Sequence, residues 1–221
     1  MASKKFPDGV KDFRTLVSGK NYFVDKTMMI RDVWEAEDEV LLYTRPRRFG
    51  KSINLSMLDY FFNLKYKDEP DIFKGLKITS CEGFEKHKNA YPVIRMDFHN
   101  LQPSSLQDFE DSLKELVSSV SRNINAEIRP LLSDKNDIDV IDRCISRDLG
   151  RAALNNSVAE LCNLLERVYG KAVMIFVDEY DHFIQNITAS AIRLFWSPRL
   201  LIFRPSFVTN THLRISSAVP G

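Results

Sequence analysis

Hydrophobic residues in this chain fall into two kinds of pattern. Short continuous apolar runs occur at 39–44 (EVLLYT), 91–98 (YPVIRMDF) and 171–181 (KAVMIFVDEYD). A strand buried on both faces reads this way, because neither set of alternating side chains meets water. Between the runs lie periodic stretches. Behind Ser52, the residues Ile53, Met57, Leu58, Tyr60, Phe61 and Phe62 share one broad helical face. Ser105, with Asp108 three residues on, resembles a capping box and opens a helix over about 105–125. A further periodic segment begins at Ser157, turns Val158, Leu161, Leu164, Leu165 and Val168 inward, and stops at Gly170. Asp25 is suited to N-cap a helix through Thr27, Met28, Ile30 and Val33-Trp34. Residues 6–24, punctuated by Pro7, Gly9 and Gly19, read as loop; 65–70 (KYKDEP) reads as a solvated charged loop and 126–153 as short polar helices. Strands alternating with helices predict an α/β fold around a mainly parallel sheet.

Past Asp181 the pattern weakens. The stretch "RLFWSPRLLIFRPSFVTNTHLRISSAVPG" is apolar and basic, interrupted by Pro198 and Pro205, and only 206–211 (SFVTNT) has strand character. That makes four strands, where a parallel nucleotide-binding sheet takes about five. The expectation is a sheet incomplete at its C-terminal end. No internal repeat and no linker divides the chain. It reads as a single structural domain: 1–38 an N-terminal loop and helix packing on the core, 39–221 the α/β domain proper, with 185–221 a divergent or truncated end.

Composition narrows the class. With 221 residues, 44% hydrophobic and 28% charged, the chain can bury a substantial core, which excludes disorder of the whole. A formal net charge of +1 excludes a general basic coat for nucleic acid, so any basic site is local. Cys81, Cys144 and Cys162 are widely spaced, odd in number and lack a C-x-x-C pair, as expected of reduced cysteines in an intracellular protein. They give no zinc signature. The N-terminal MASKKFPDGVKDF has no apolar stretch behind its lysines and is not a secretory signal. No run approaches the roughly 18 to 20 apolar residues of a membrane span. The expected location is cytoplasmic, with the nucleus left open and no membrane partner.

The chemistry concentrates in two places. "TRPRRFGKS" (44–52) closes the first apolar run and opens a periodic helix. Strand, loop and helix in that order suit phosphate: the strand aims the loop, backbone N–H groups wrap the anion, and the helix N-terminus adds partial positive charge. Gly50 lets the backbone approach closely, Lys51 would reach the β/γ-phosphates and Ser52 would ligate magnesium. The consensus G-x-x-x-x-G-K-[ST] asks for glycine where this chain has Arg45, and Pro46 fixes φ near −65°, so the loop enters by a different path. Arg47 and Arg48 would add charge-assisted contacts to phosphate or to a partner. Phe49 completes the loop and Ile53 lies in the first helical turn.

The second place is the strand ending in Asp178-Glu179. An acid there sits at the ligand-binding edge of a parallel sheet. Asp178 would hold magnesium, directly or through water, and Glu179 would polarise the attacking water, which is most of what phosphoryl transfer asks of a protein. Asp181 is a supporting residue or a helix cap. Either motif alone also describes a plain helix start or a strand that ends in an acid. Together, in this order, they point to nucleotide binding. Other features weigh less. His87, His99, His182 and His212 lack metal-ligand spacing and read as surface or packing residues, although His182 lies close enough to tune the acid pair. Trp34 and Trp196 read as core aromatics. Asn210 is either a γ-phosphate sensor or solvent-facing. The cluster Arg45, Arg47, Arg48 and Lys51 could serve nucleic acid, but no aromatic interleaving supports that.

"FPDGVKDFRTLVSGKNYFVDKTMMIRDV", "LLYTRPRRFGKSINLSMLDYFF", "IFKGLKI", "YPVIRMDF" and "MIFVDEYD", in that order over about residues 6–184, resemble the AAA-ATPase-like family of P-loop proteins. The resemblance implies a P-loop three-layer α/β/α fold that binds ATP and Mg2+, with Arg45 as a family trait. By position it makes Gly50, Lys51 and Ser52 the nucleotide loop, and Asp178 and Glu179 the magnesium and water-activating acids. It also sets Asp25 and Lys26, in "YFVDKT", near the nucleotide. Such a domain often precedes a nuclease-like PD-(D/E)XK domain; here 37 residues follow Ile184 and match poorly. The expectation is a magnesium-dependent ATPase acting as a switch on a protein partner or a second copy of itself. The alternatives are a nucleotide-binding module that does not hydrolyse, and a nucleic-acid-associated protein using the arginine loop.

Overall fold

A computed structural model of the chain describes residues 6–7, 9–19, 21–38, 40–44, 50–99, 101, 103, 105–179, 199–203 and 215–217. In chain order the elements are α1 (Phe13–Ser18), α2 (Met28–Glu35), β1 (Val40–Thr44), α3 (Lys51–Phe62), α4 (Phe84–His87), β2 (Val93–Asp97), α5 (Leu106–Ile128), α6 (Lys135–Ser146), α7 (Arg151–Tyr169), β3 (Met174–Asp178), β4 (Arg199–Phe203) and β5 (Ile215–Ser217). Short 3-10 turns at Leu64–Tyr66, Lys77–Ser80 and Arg129–Leu131 join them.

The five strands form one sheet in the order β2-β3-β4-β1-β5. β2 runs parallel to β3 and β5 parallel to β1, whereas β4 is antiparallel to both of its neighbours. The fold is therefore α/β with a mixed sheet: four strands share one direction and β4 alone is reversed. The strand expected at 206–211 lies outside the described residues. β4 is instead the run "RLLIF", bracketed by Pro198 and Pro205. Proline interrupts a ladder but is tolerated where a strand begins or ends, so the pair that looked like breakers delimits a central strand.

Period-2 alternation along β3 feeds both faces. Met174 and Phe176 join a core cluster with Leu41 and Tyr43 of β1 and with α1, α2, α3 and α4. Val173 and Val177 join a second cluster with Ile94 and Met96 of β2 and with α5, α6 and α7. Helices thus cover both sides of the sheet. On β2 the positions facing the α3 side toward the strand's end are Arg95 and Asp97, both exposed.

Several local expectations need correction. Residues 13–18, read as loop, form α1: Asp12 caps it by accepting from the Thr15 N–H at 2.8 Å, and Phe13 stacks on Phe73 at 5.4 Å. Asp25 is not the cap of α2; Thr27 takes that position, and the Asp25 carboxylate accepts from the Thr27 N–H and hydroxyl (2.9 and 2.6 Å). α5 runs to Ile128, and its Ser105 hydroxyl accepts from the Asp108 N–H at 3.1 Å, the cap expected there. α7 starts at Arg151, six residues before Ser157, and ends at a left-handed Gly170 as expected. Cys81, Cys144 and Cys162 are free thiols, and burial pushes the Cys162 thiol up to about 11. Among the described residues no helix is long and apolar enough to cross a membrane.

Candidate nucleotide site

β1 delivers the chain to one edge of the sheet at Thr44, and α3 leaves that edge at Lys51. Gly50 between them has φ 77° and ψ 24°. That left-handed backbone is the reason glycine stands there, since a Cβ would meet nothing within 4 Å but would strain the main chain. Its carbonyl accepts from the Asn54 N–H at 3.0 Å, the first bond of the helix. Among the described residues no side chain caps α3, so there the N–H groups of Lys51, Ser52 and Ile53 lack the partner that the rest of the helix supplies. Helix starts of this kind hold anions, with about half an elementary charge of positive potential at the terminus. The Lys51 side chain is only 9% exposed. Among the described residues its ammonium has no hydrogen bond or ion pair. Ile53 is half-buried and packs against the core.

The acids arrive at the same edge. β1 and β3 are both antiparallel to β4, so they run parallel to each other and end together. Leu42 and Val177 both face Leu201 in register, which sets Asp178 level with Tyr43. With one strand between them, the two backbones are separated by about 10 Å, two strand spacings. α3 narrows that gap and brings Ser52 near the Asp178 carboxylate, where it favours the charged form. Asp178 is 3% exposed. Burial pushes its carboxyl above the usual range, the charges of Asp97 and Glu179 add to that, and Ser52 and Arg95 oppose it. Glu179 follows with φ 54°, an uncommon conformation for a residue with a side chain, of the kind that collects at functional sites.

The remaining expected residues divide into two groups. Arg45, Pro46, Arg47, Arg48 and Phe49 lie outside the described residues, as do Asp181, His182, Trp196, Asn210 and His212. Asp25 is half-buried and holds α2 to the following 3-10 turn: beyond its Thr27 bonds, its second oxygen accepts from the Lys77 N–H at 2.8 Å. Both its oxygens are thus engaged in binding the fold together, and Lys26 beside it is exposed. Trp34 packs as expected, stacked on Phe61 at 5.6 Å and on His87 at 5.2 Å. His87 also shares a 2.6 Å hydrogen bond with the Tyr91 hydroxyl. Among the described residues no group of three or more His, Cys, Asp or Glu side chains is arranged to hold a metal. One neighbour of the acids escaped notice: Asp97 pairs in register with Asp178. The signal was present, since "VIRMD" ends in an acid as "MIFVD" does.

A cavity of about 980 Å³ lies elsewhere among the described residues. It is lined by Trp34, Tyr91, Cys162, Glu166 and Met174, at the start of β3. Asp178 lies four residue steps beyond Met174 along β3, or about 13 Å. Volume alone favours that cavity; the capless helix start, the buried lysine and the paired acids favour the other edge. The chemistry decides, because a phosphate needs donors and positive charge rather than an apolar hollow.

An α/β protein whose first strand passes through Gly50-Lys51-Ser52 into a helix, and whose interior strand β3 ends in acids at the same edge, has the organisation of a nucleotide-binding domain. The chain belongs to the Predicted AAA-ATPase family, whose sequence model matches residues 7–203. A protein of Azotobacter chroococcum mcd 1, described as an uncharacterized protein in the vnfD 5' region, is 29% identical to it over 194 residues, 87% of this chain and 32% of the relative. The chain thus spans about a third of the length of that relative. No solved structure matches it.

Proposed function

We propose that this chain is a P-loop domain of three-layer α/β/α type that binds ATP with Mg2+ and hydrolyses it as a switch. The observation that carries the reading is the meeting of the α3 start with the end of β3 at one edge of the sheet, where Ser52 stands close enough to the buried Asp178 carboxylate to favour its charged form. The N–H groups of the first turn of α3 and the Lys51 ammonium would hold the phosphate chain. A hydroxyl and a carboxylate are hard oxygen donors, which suits Mg2+, an ion that keeps several waters and takes one or two carboxylates. Ser52 and Asp178 would hold it, and it would neutralise charge on the phosphate oxygens. Glu179, next in the chain and partly accessible, would accept a proton from the attacking water and orient it. Family membership supports the reading. A switch acts on something, and a protein partner or a second copy of the chain is the proposed recipient.

The test is ATP binding followed by calorimetry, with phosphate release measured in parallel. Lys51→Ala should lose Mg2+-dependent ATP binding, and Glu179→Gln should bind ATP normally while turnover stops. Unchanged affinity in Lys51→Ala refutes the reading. Tight binding with no phosphate release in the wild type would instead make the chain a nucleotide-ordered module.

A further inference from the structure

Two aspartates end neighbouring strands at this edge. β2 and β3 are parallel and pair residue for residue from Val93↔Met174 to Asp97↔Asp178. Residues paired in this way project to the same face of the sheet, with backbones about 4.8 Å apart. That face is the α3 side, since Phe176, two residues before Asp178, belongs to the α3 cluster. The main chain holds the pair together beyond the ladder: the Phe98 N–H donates to the Asp178 carbonyl at 3.0 Å. Asp97 is oriented by its own turn, with Oδ1 accepting from the His99 N–H at 2.9 Å. Among the described residues Oδ2 has no partner.

Like charges on adjacent strands destabilise each other, and here an exposed and a buried carboxylate stand side by side in register. A third charged group at the same edge, Lys51, is 9% exposed and unpaired among the described residues. An arrangement of that kind is relieved by a cation between the carboxylates with an anion on the lysine. We infer that Asp97 is a positioning residue for the metal of this site, accepting hydrogen bonds through Oδ2 from the water shell of the Mg2+ that Ser52 and Asp178 hold. The inference rests on the nucleotide reading above. Water-mediated acceptors of this sort fix a hydrated ion without replacing its waters.

The experiment titrates Mg2+ into full-length protein with ATP and reads nucleotide binding calorimetrically. Wild type, Asp97→Asn and Asp97→Glu are compared, each with an EDTA control. In Asp97→Asn the Mg2+ concentration for half-maximal tightening should rise on the order of tenfold, the usual effect of losing an outer-shell partner. Binding of ATP in EDTA should not weaken, since the lost carboxylate only repelled the anion, whereas a general loss of structure would weaken it. Asp97→Glu, which keeps the charge, should fall between the two and serves where Asn folds poorly. If wild type responds to Mg2+ and both variants have midpoints within twofold of it, the role of Asp97 is wrong and the nucleotide reading stands. If the wild type binds no ATP or ignores Mg2+, both fall.

Discussion

Two glycines in this fold invite a matched experiment. Gly50 begins α3 with φ 77° and ψ 24°, and Gly170 ends α7 with φ 61° and ψ 27°. A Cβ at either would meet nothing within 4 Å, so Gly→Ala brings no steric clash at either position. What remains is the left-handed backbone, worth about 1–2 kcal/mol against a residue with a side chain. The gain from a stiffer unfolded chain, about 0.4–1 kcal/mol, offsets part of it. Each substitution should therefore lower stability by about 1 kcal/mol, which for a chain of this size is roughly 2–4 °C in Tm. The difference appears with ligand. Saturation at a hundred times Kd stabilises by about 2.7 kcal/mol, and a tenfold loss of affinity removes about 1.4 kcal/mol of that. Thermal unfolding with and without Mg-ATP should show an undiminished shift in Gly170→Ala and a reduced one in Gly50→Ala. Equal ATP shifts in the two variants would refute the role of Gly50 at the phosphate. A neutral Gly50→Ala would refute the left-handed helix start itself.

Three further outcomes follow from the same geometry. Glu179→Gly should stabilise the unliganded protein by about 1 kcal/mol in urea unfolding, by relieving the positive φ, while abolishing phosphate release. Asp12→Ala should lower stability by about 0.5–2 kcal/mol at neutral pH through loss of the α1 cap. Burial alone would raise the Asp12 carboxyl, but hydrogen bonds from Thr15, Tyr60 and Ser56 outweigh it and hold the group below its usual range. Its unfolded form thus binds the proton more readily; the stabilisation is complete above about pH 4 and lost as pH falls through the folded value. Acid titration monitored by circular dichroism should accordingly be shallower in Asp12→Ala. Phe61→Ala empties the centre of the aromatic cluster, where Phe61 is fully buried against Trp34, Phe62, Phe73 and Phe84; it should lower stability by about 3–5 kcal/mol in denaturant titration.

How far the fold could be read from the chain depended on how local its determinants are. β1, β2 and β3 were legible because apolar runs bounded by polar residues leave few alternatives. α1 was not: six residues with Phe13 and Leu16 as its buried pair are too short to show a period, and the helix is held by contacts distant in sequence. The Phe13 N–H donates to the Ser56 hydroxyl at 3.0 Å, and Phe13 stacks on Phe73. α6 falls within 126–153, read as short polar helices, but its bounds and the start of α7 were not legible because their buried faces are narrow, Ile141 and Cys144 on one and Leu154 and Ser157 on the other. At the site, Lys51, Ser52, Asp178 and Glu179 were legible as residue types in the right order. Asp97 was not, because its place beside Asp178 is a matter of register, and register between distant strands is written in no local pattern.

The site depends on the core more directly than its motifs suggest. With β4 between them, the ends of β1 and β3 are about 10 Å apart, and α3 is the element that brings Ser52 toward Asp178. That path is fixed by burial nearly all round the helix: Leu55, Met57, Leu58, Phe61 and Phe62 pack inward, and Phe62 meets Phe176 of β3 edge-on at 6.5 Å. The polar residues of α3 are drawn into the same frame. Ser56 joins Asp12 at 3.2 Å, and Asp59 accepts from Asn63 at 2.8 Å and from the Tyr66 hydroxyl at 3.2 Å. A helix so thoroughly pinned cannot shift along β3 without breaking several of these contacts at once. The position of Ser52 against Asp178 is therefore set by residues from one to three turns farther along the helix, and the aromatic core is the part of the fold that aligns the site.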